Sequence, residues 1–208
     1  MFVCAHRNAE VMSTPISDDP FDWFDQWYAE ALEKVTPEPN AMVVATASDQ
    51  GRLSSRVVLL KEWNRQGFVF YTNYQSKKGR DIEATGEAAL NFYWRSMYRQ
   101  IRIEGTAERV AAEVSDAYFA TRPRGSKIGA WASAQSEPLD ERETLLERAK
   151  HYEEKFAGKE IPRPEHWGGY RVVPRRFEFW QAQEDRLHDR WEFLPGDDEG
   201  WSRRRLNP

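Results

Sequence analysis

Between Ala41 and Asn73 the chain reads as three short apolar runs, AMVVATA, LSSRVVLLKEW and FVFYTN, separated by little more than the strings SDQG and NRQG. Runs of this length, rich in β-branched and aromatic residues and joined by Gly-containing turns, form hairpins. Hairpins commit the chain to antiparallel sheet, because parallel neighbours need a crossover of a dozen or more residues. The same texture returns in ALNFYW, RQIRIEGTAERV, YRVVP, FEFWQ, RLHDRWEF and WSRRRL. Six or more strands at hairpin spacing, with helices inserted rather than alternating regularly, favour an antiparallel barrel over a doubly wound sheet. The expected class is mainly β with flanking helices, an α+β chain.

Helices are expected where the period changes. Asp18 or Asp19 caps one that opens with Pro20, and Phe21, Phe24, Tyr28, Ala31, Leu32 and Val35 form its apolar stripe. Shorter helices are expected over Ser76–Thr85 and Lys127–Ala132, and one over Ala111–Thr121 that Pro123 ends. Within Leu139–Phe156, Leu145, Leu146, Ala149, Tyr152 and Phe156 recur at helical spacing. No repeat, linker or boundary interrupts the 208 residues, which suit one core. Residues 1–17 are expected to be a disordered N-terminal segment, with Met12 offering a second start. Residues 18–208 are expected to form a single domain.

Several function classes fall away. A net charge of -4 argues against a general nucleic-acid or membrane-surface role, so a bound anion must be met by a specific pocket. The single cysteine, Cys4, excludes an intramolecular disulfide, and the four histidines, His6, His151, His166 and His188, lack metal-ligand spacing. With no apolar run long enough for a signal or span, a cytoplasmic location is expected. GxGxxG and GxxxxGK[ST] loops are absent, as is a recognisable Ser or Cys nucleophile. Nine tryptophans and 13% aromatic residues suit a generous core or a broad interface, which makes a homo-oligomer plausible.

The candidate site residues are basic and hydrogen-bonding. In Arg186-Leu187-His188-Asp189-Arg190, strand alternation would put Arg186, His188 and Arg190 on one face, an anion site with a titratable group in its middle. The same pattern suits a salt-bridged surface strand. Tyr118 and Arg122 share a helix face and Ser126 follows across a turn, a trio fit for phosphate oxygens or for capping a helix end. In Arg56-Val57-Val58-Leu59-Leu60-Lys61, strict alternation sends the two basic residues to opposite faces. Ser76-Lys77-Lys78 could receive phosphate at a helix start or form a solvated basic turn. Gln100, Gln135 and Ser136 suit the edge of a heteroaromatic ring, and Trp180 could be its flat wall or a core residue.

The strings RVVLLK, FVFYTN followed by SKK, RQIRIEG, YFATRPRGSKIGAWASAQS, WGGYRVVP, EFWQ and RLHDR with the closing RRRLNP resemble the pyridoxamine 5'-phosphate oxidase family, in order from about Ala41 to Pro208. The resemblance implies a split β-barrel homodimer with FMN at the subunit interface. It implies cofactor contacts from Arg56, Val57, Val58, Leu59, Leu60, Lys61, Tyr71, Thr72, Lys77, Lys78, Gln100, Gln135, Ser136, Trp180 and Arg190. Substrate phosphate would meet Lys61, Tyr118, Arg122 and Ser126, while Arg186 and His188 cover the reacting pyridine end as the catalytic pair. The implied activity converts pyridoxamine 5'-phosphate or pyridoxine 5'-phosphate to pyridoxal 5'-phosphate with molecular oxygen, releasing hydrogen peroxide. No metal, nucleic acid or membrane is implied. One departure stands out: the Arg-x-x-Tyr element that family members often carry near the N-terminus is missing before Asp18.

Overall fold

The computed structural model describes residues 16–196 and 200–208, so the expected disorder of the first fifteen residues lies outside them. Ser17, assigned to that segment by the sequence, belongs to the fold. Its carbonyl accepts from Trp23 Nε1 at 2.8 Å and from Arg203 Nη1 at 2.9 Å. Helix α1 (Pro20–Lys34) follows, with Asp19 as N-cap accepting from the Phe21 N–H at 2.8 Å and Pro20 in the first turn, where no N–H is needed.

The two expected hairpins form, from β1 (Ala41–Ala47) with β2 (Leu53–Leu59) and from β3 (Glu62–Asn64) with β4 (Gly67–Asn73). After α2 (Lys77–Thr85) come β5 (Glu87–Trp94) and β6 (Arg99–Arg109). Then follow α3 (Ala112–Thr121), α4 (Arg124–Ala132) and α5 (Arg142–Lys155), and finally β7 (Trp167–Gln181), β8 (Asp189–Pro195) and β9 (Trp201–Arg205). Every pairing is antiparallel, in the order β2-β1-β5-β6-β7-β4-β3, with β8 on β7 and β9 on β8. β2 and β3 therefore stand at opposite ends of the sheet order, yet only Leu60 and Lys61 separate them. The three steps from Leu59 to Glu62 span at most about 11 Å, so the sheet must curl until its ends meet, which makes it a half-barrel with a seam.

Three strand expectations need correction. LSSRVVLLKEW is two strands, because Leu60 turns into the core while its backbone bonds Asn40 on both sides. YRVVP and FEFWQ are one strand, β7, since Pro174 sits opposite Gly105 at a register shift, where its missing N–H costs no regular ladder bond. RLHDRWEF becomes strand only at Asp189. Asp185 and Arg186 have φ of +52° and +63°, a left-handed pair that breaks the extended chain. Arg186, His188 and Arg190 therefore do not share a strand face.

The concave side of the sheet is filled by α1. Trp23, Phe24 and Trp27 are fully buried and meet Phe68, Phe92, Phe179 and Phe193 at ring-centroid distances of 4.8 to 5.5 Å. Trp23 and Trp27 belong to the stripe that the sequence pattern assigned without them. Leu32 is exposed, and so is Leu146 on α5, a helix that packs mainly on α4 and buries none of its residues fully.

Gly79 seats α2 against the loop that leads into it from β4: a Cβ there would lie 2.0 Å from the Tyr74 carbonyl oxygen. Alanine ordinarily stabilises a helix interior by about 1 kcal/mol over glycine, but here it must lift the helix. We expect Gly79→Ala to destabilise the fold by about 1–3 kcal/mol in chemical denaturation; a stabilised variant would refute this seating.

Candidate active site

A cavity of about 970 Å³ opens at the seam, bounded by β2, β4, α2, α3 and α4. Its lining among the described residues carries five cationic side chains, Arg56, Lys61, Lys77, Lys78 and Arg122, and no carboxylate. Lys61 and Arg56 both reach it, against strict alternation, because the strand ends at Leu59 and Lys61 takes up a new bond, its N–H donating to Val69 O at 2.9 Å.

One group of cations sits around the start of α2. Ser76 caps the helix, its hydroxyl accepting from the Gly79 N–H. Lys78 is buried, and its Nζ donates to Thr72 Oγ1 at 3.1 Å, Ser76 Oγ at 3.2 Å and Gln135 Oε1 at 3.1 Å, all neutral acceptors. Burial, assisted by the nearby Arg56 charge, pushes its ammonium down to about 8. Lys77 pairs with Asp81 at 2.6 Å. Asp81 also accepts from Thr46 and Ser54, and the same two hydroxyls accept from Arg56 at 2.8 and 2.6 Å. Burial raises the Asp81 carboxyl, but its bonds from Lys77, Thr46 and Ser54 outweigh this and hold it below the usual range. A buried carboxylate outside the cavity thus orients two cations lining it.

The second group lies at the α3–α4 junction and on the β2–β3 link; Arg122 is extended just past α3, so it does not share a helix face with Tyr118 as the spacing suggested. Tyr71, Tyr118 and Trp167 stack nearly parallel, with centroids 4.0, 5.5 and 6.2 Å apart. The Arg122 guanidinium stands 4.5 Å over Trp167, and Lys61 Nζ is 6.0 Å from the Tyr118 ring centre. Arg122 Nη1 is buried with no hydrogen-bond partner, a donor that costs about 1–3 kcal/mol until an acceptor arrives. Ser126 lines the cavity beside it. Burial pushes the Tyr71 phenol up to about 12, so it stays a neutral donor.

Of the residues singled out from sequence, Val57, Val58, Leu59, Tyr71, Thr72, Gln135 and Ser136 also line this cavity. Leu60 does not, since its side chain is in the core. Gln100, Trp180, Arg186, His188 and Arg190 lie elsewhere. Gln100, Trp180 and Arg190 are direct partners across β6, β7 and β8. Their neighbours Ile101, Phe179 and Trp191 are buried, so this trio faces away from the core. The His188 ring lies 4.8 Å from Trp180, and its Nδ1 accepts the Gln183 N–H at 3.1 Å, which puts the proton of the neutral imidazole on Nε2. Arg190 gives Nε and Nη2 to Glu178 Oε1 and Nη1 to the Asn207 carbonyl.

Asn73, Thr121, Ser133 and Trp167 line the cavity without having been singled out. Two had a signal: Asn73 ends the FVFYTN string, and Trp167 opens WGGYRVVP. Asp81, which orients Lys77, stands four residues after it on the helix, a spacing that reads as an ion pair.

An antiparallel half-barrel with an acid-free, aromatic-walled cavity defines a binder of anionic, ring-bearing small molecules. The family model described as pyridoxamine 5'-phosphate oxidase matches residues 28–156, and a second, described as pyridoxine 5'-phosphate oxidase C-terminal dimerisation region, matches residues 167–208. The chain is 56% identical over 190 residues to the pyridoxine/pyridoxamine 5'-phosphate oxidase of Rubrobacter xylanophilus, covering 91% of this chain and 87% of that one. Among solved structures, PhzG from Burkholderia lata 383, in complex with tetrahydrophenazine-1-carboxylic acid, aligns with a TM-score of 0.86 at 34% identity, covering 93% of this chain and 94% of that one. A pyridoxamine 5'-phosphate oxidase-related, FMN binding protein from Nostoc punctiforme PCC 73102 aligns with a TM-score of 0.72, covering 94% and 100%. At 14% identity it supports the fold alone. The chain belongs to the pyridoxamine 5'-phosphate oxidase family and is an oxidoreductase.

Because Lys78 is charged only below about pH 8, an anion seated against it should bind more weakly as pH rises through that value, by up to about tenfold per pH unit. Sulfate keeps its charge across this range, so calorimetric titration with sulfate isolates the lysine. Lys78→Met should bind more weakly at neutral pH and lose the decline; a native affinity that stays level past pH 8 would show that Lys78 does not meet the anion.

Proposed function

We propose that the enzyme uses FMN to oxidise pyridoxamine 5'-phosphate or pyridoxine 5'-phosphate to pyridoxal 5'-phosphate, with molecular oxygen as final acceptor and hydrogen peroxide as product. The observation that carries this reading is the acid-free cavity with two cationic groups, one for each of two phosphorylated molecules. FMN fits the first group: Lys78 has neutral partners and no carboxylate in contact, and it stands in the first turn of α2, the end of a helix that favours an anion. Arg56, Lys77, Lys78, Gln135 and Ser136 would hold it, with Tyr71 and Thr72 alongside.

Bound FMN supplies a ring that accepts two electrons and gives them to oxygen. The chain's own residues supply position. Arg122, Ser126, Tyr118 and Lys61 grip the substrate phosphate, and the buried Arg122 donor gains its missing acceptor. Holding the non-reacting end fixes the register of the reacting carbon. The Tyr71–Tyr118–Trp167 stack keeps water from one wall.

Gln100, Trp180, Arg186, His188 and Arg190 do not line their own chain's cavity, and we assign them to the site of a second copy in a homodimer. Support comes from exposed Leu53, Val57 and Tyr93 on the outer sheet face and from Asn91 Oδ1, buried there without a partner. Residues 167–208, which carry four of the five, match the dimerisation-region model. In that site the His188 ring, held by the Gln183 N–H at Nδ1 and set against Trp180, would be a positioning group. Oxidation of a tricyclic acid, the second reading, draws on the likeness to PhzG. With FMN on the first group, the acid's singly charged carboxylate would face both Lys61 and Arg122, a pair of cations that suits a phosphate dianion better.

The test is an anaerobic absorbance titration of FMN-loaded protein with pyridoxamine 5'-phosphate, followed by air. The flavin band should bleach and then recover as pyridoxal 5'-phosphate and peroxide appear, and Arg122→Ala should need at least about tenfold more substrate. A flavin that never bleaches with either vitamin phosphate would refute the assignment. His188→Asn, whose amide oxygen can accept the Gln183 N–H, should keep most of kcat. A loss of about 100-fold or more would instead give His188 a proton-transfer role.

A further inference from the structure

The turn at residues 134–137 carries two of the cavity residues, Gln135 and Ser136, and is closed by the Glu137 N–H donating to Ala134 O at 3.1 Å. Ser136 has a φ of +76°, in the left-handed region that a serine adopts only when its surroundings hold it there. From inside, Gln135 Oε1 accepts from Lys78 and Thr72. Behind the turn lies a second cavity of about 710 Å³, which shares Asn73 and Gln135 with the first. The turn is therefore backed by space rather than by packed side chains. One ion pair bridges that space: Arg80 Nη1 donates to Glu137 Oε1 at 2.6 Å. The same nitrogen donates to Gln75 O at 2.6 Å, in the loop that delivers Ser76 and α2. Arg80 thus joins the two walls of the phosphate cradle from outside, without entering the cavity.

We propose that the Arg80–Glu137 pair is a latch that holds the 134–137 turn against the phosphate cradle and so sets the rate at which the cofactor leaves. Arg80 and Glu137 are positioning residues acting through Gln135, Ser136 and the start of α2. The inference rests on the assignment of that cradle to FMN. It also makes a prediction whose sign separates it from simple charge effects. Glu137 is a negative charge near a site for a dianion, so Coulombic repulsion alone says that its removal should tighten binding. A latch says the reverse.

The measurement is the rate of FMN release, followed by recovery of flavin fluorescence after dilution of the holoenzyme, for the native chain, Glu137→Ala, Arg80→Ala and the double variant. Both single variants should release FMN about two- to fivefold faster, the range open to a half-exposed pair. The double variant should be no faster than the faster single one, because either change opens the same latch. The melting temperature of the cofactor-free protein should move little. Release from Glu137→Ala that is unchanged or slower overturns the latch, and so do effects that multiply in the double variant. Failure of the native protein to bind FMN would overturn both this proposal and the one it rests on, whereas tight native binding with indifferent variants overturns this one alone.

Discussion

The link of two residues between β2 and β3 governs the rest of the molecule. Strands that are adjacent in sequence stand at opposite ends of the sheet, so closure is imposed by covalent geometry and not left to side-chain packing. Where the ends meet, β2 and β4 come together without a shared ladder, and a space remains that neither strand fills. α1 occupies the concave side with its tryptophans and phenylalanines, so the core is complete without the seam. The cavity can then be polar and open at little cost to stability, because the apolar area that drives folding is buried elsewhere.

Charge is sorted by the same geometry. On the outer face of β6, β7 and β8, buried Glu178 receives Arg102, Arg176 and Arg190, and buried Glu192 receives Arg176 and Arg204. Burial raises the Glu192 carboxyl, but its two arginines more than offset this and keep it ionised. Buried carboxylates survive there because each is paired. In the cavity the balance is reversed: the carboxylate that serves it, Asp81, sits behind Lys77 and Arg56 and not in the lining. A chain with net charge -4 therefore presents a locally cationic pocket without a cationic surface.

Much of this was legible in the sequence. Alternating apolar runs and Gly-containing turns announced the hairpins, and Asp19-Pro20 announced α1, because those signals are local. What failed was non-local. Nothing in LSSRVVLLKEW says that Leu60 must drop into the core, since that follows from closure of the sheet. Pro174 looked like a strand end because its tolerance depends on Gly105 opposite, some seventy residues away. Arg186, His188 and Arg190 seemed to share a face because alternation cannot anticipate two left-handed residues in succession. The cavity-lining residues were recovered best where a family string carried them. Asn73 and Trp167 were missed because an asparagine and a tryptophan beside a strand have commoner fates in turns and cores.

The division of the expected residues into two groups has an energetic consequence. Cavity residues come from β2, β4 and α2–α4, while Gln100, Trp180 and Arg190 form a row on the outer face of β6, β7 and β8. Rotating side chains cannot bring the groups together within one chain, because the rigid sheet and its buried aromatic layer intervene. If one ligand needs both groups, a second chain must supply one of them, and ligand binding and association become linked equilibria. Each ligand bound across the interface then favours the dimer by as much as the dimer favours the ligand. Arg190 is already braced by Glu178 and by the carbonyl of Asn207 before any partner arrives. The second group therefore loses little side-chain freedom on association, and more of the contact energy remains for holding the ligand.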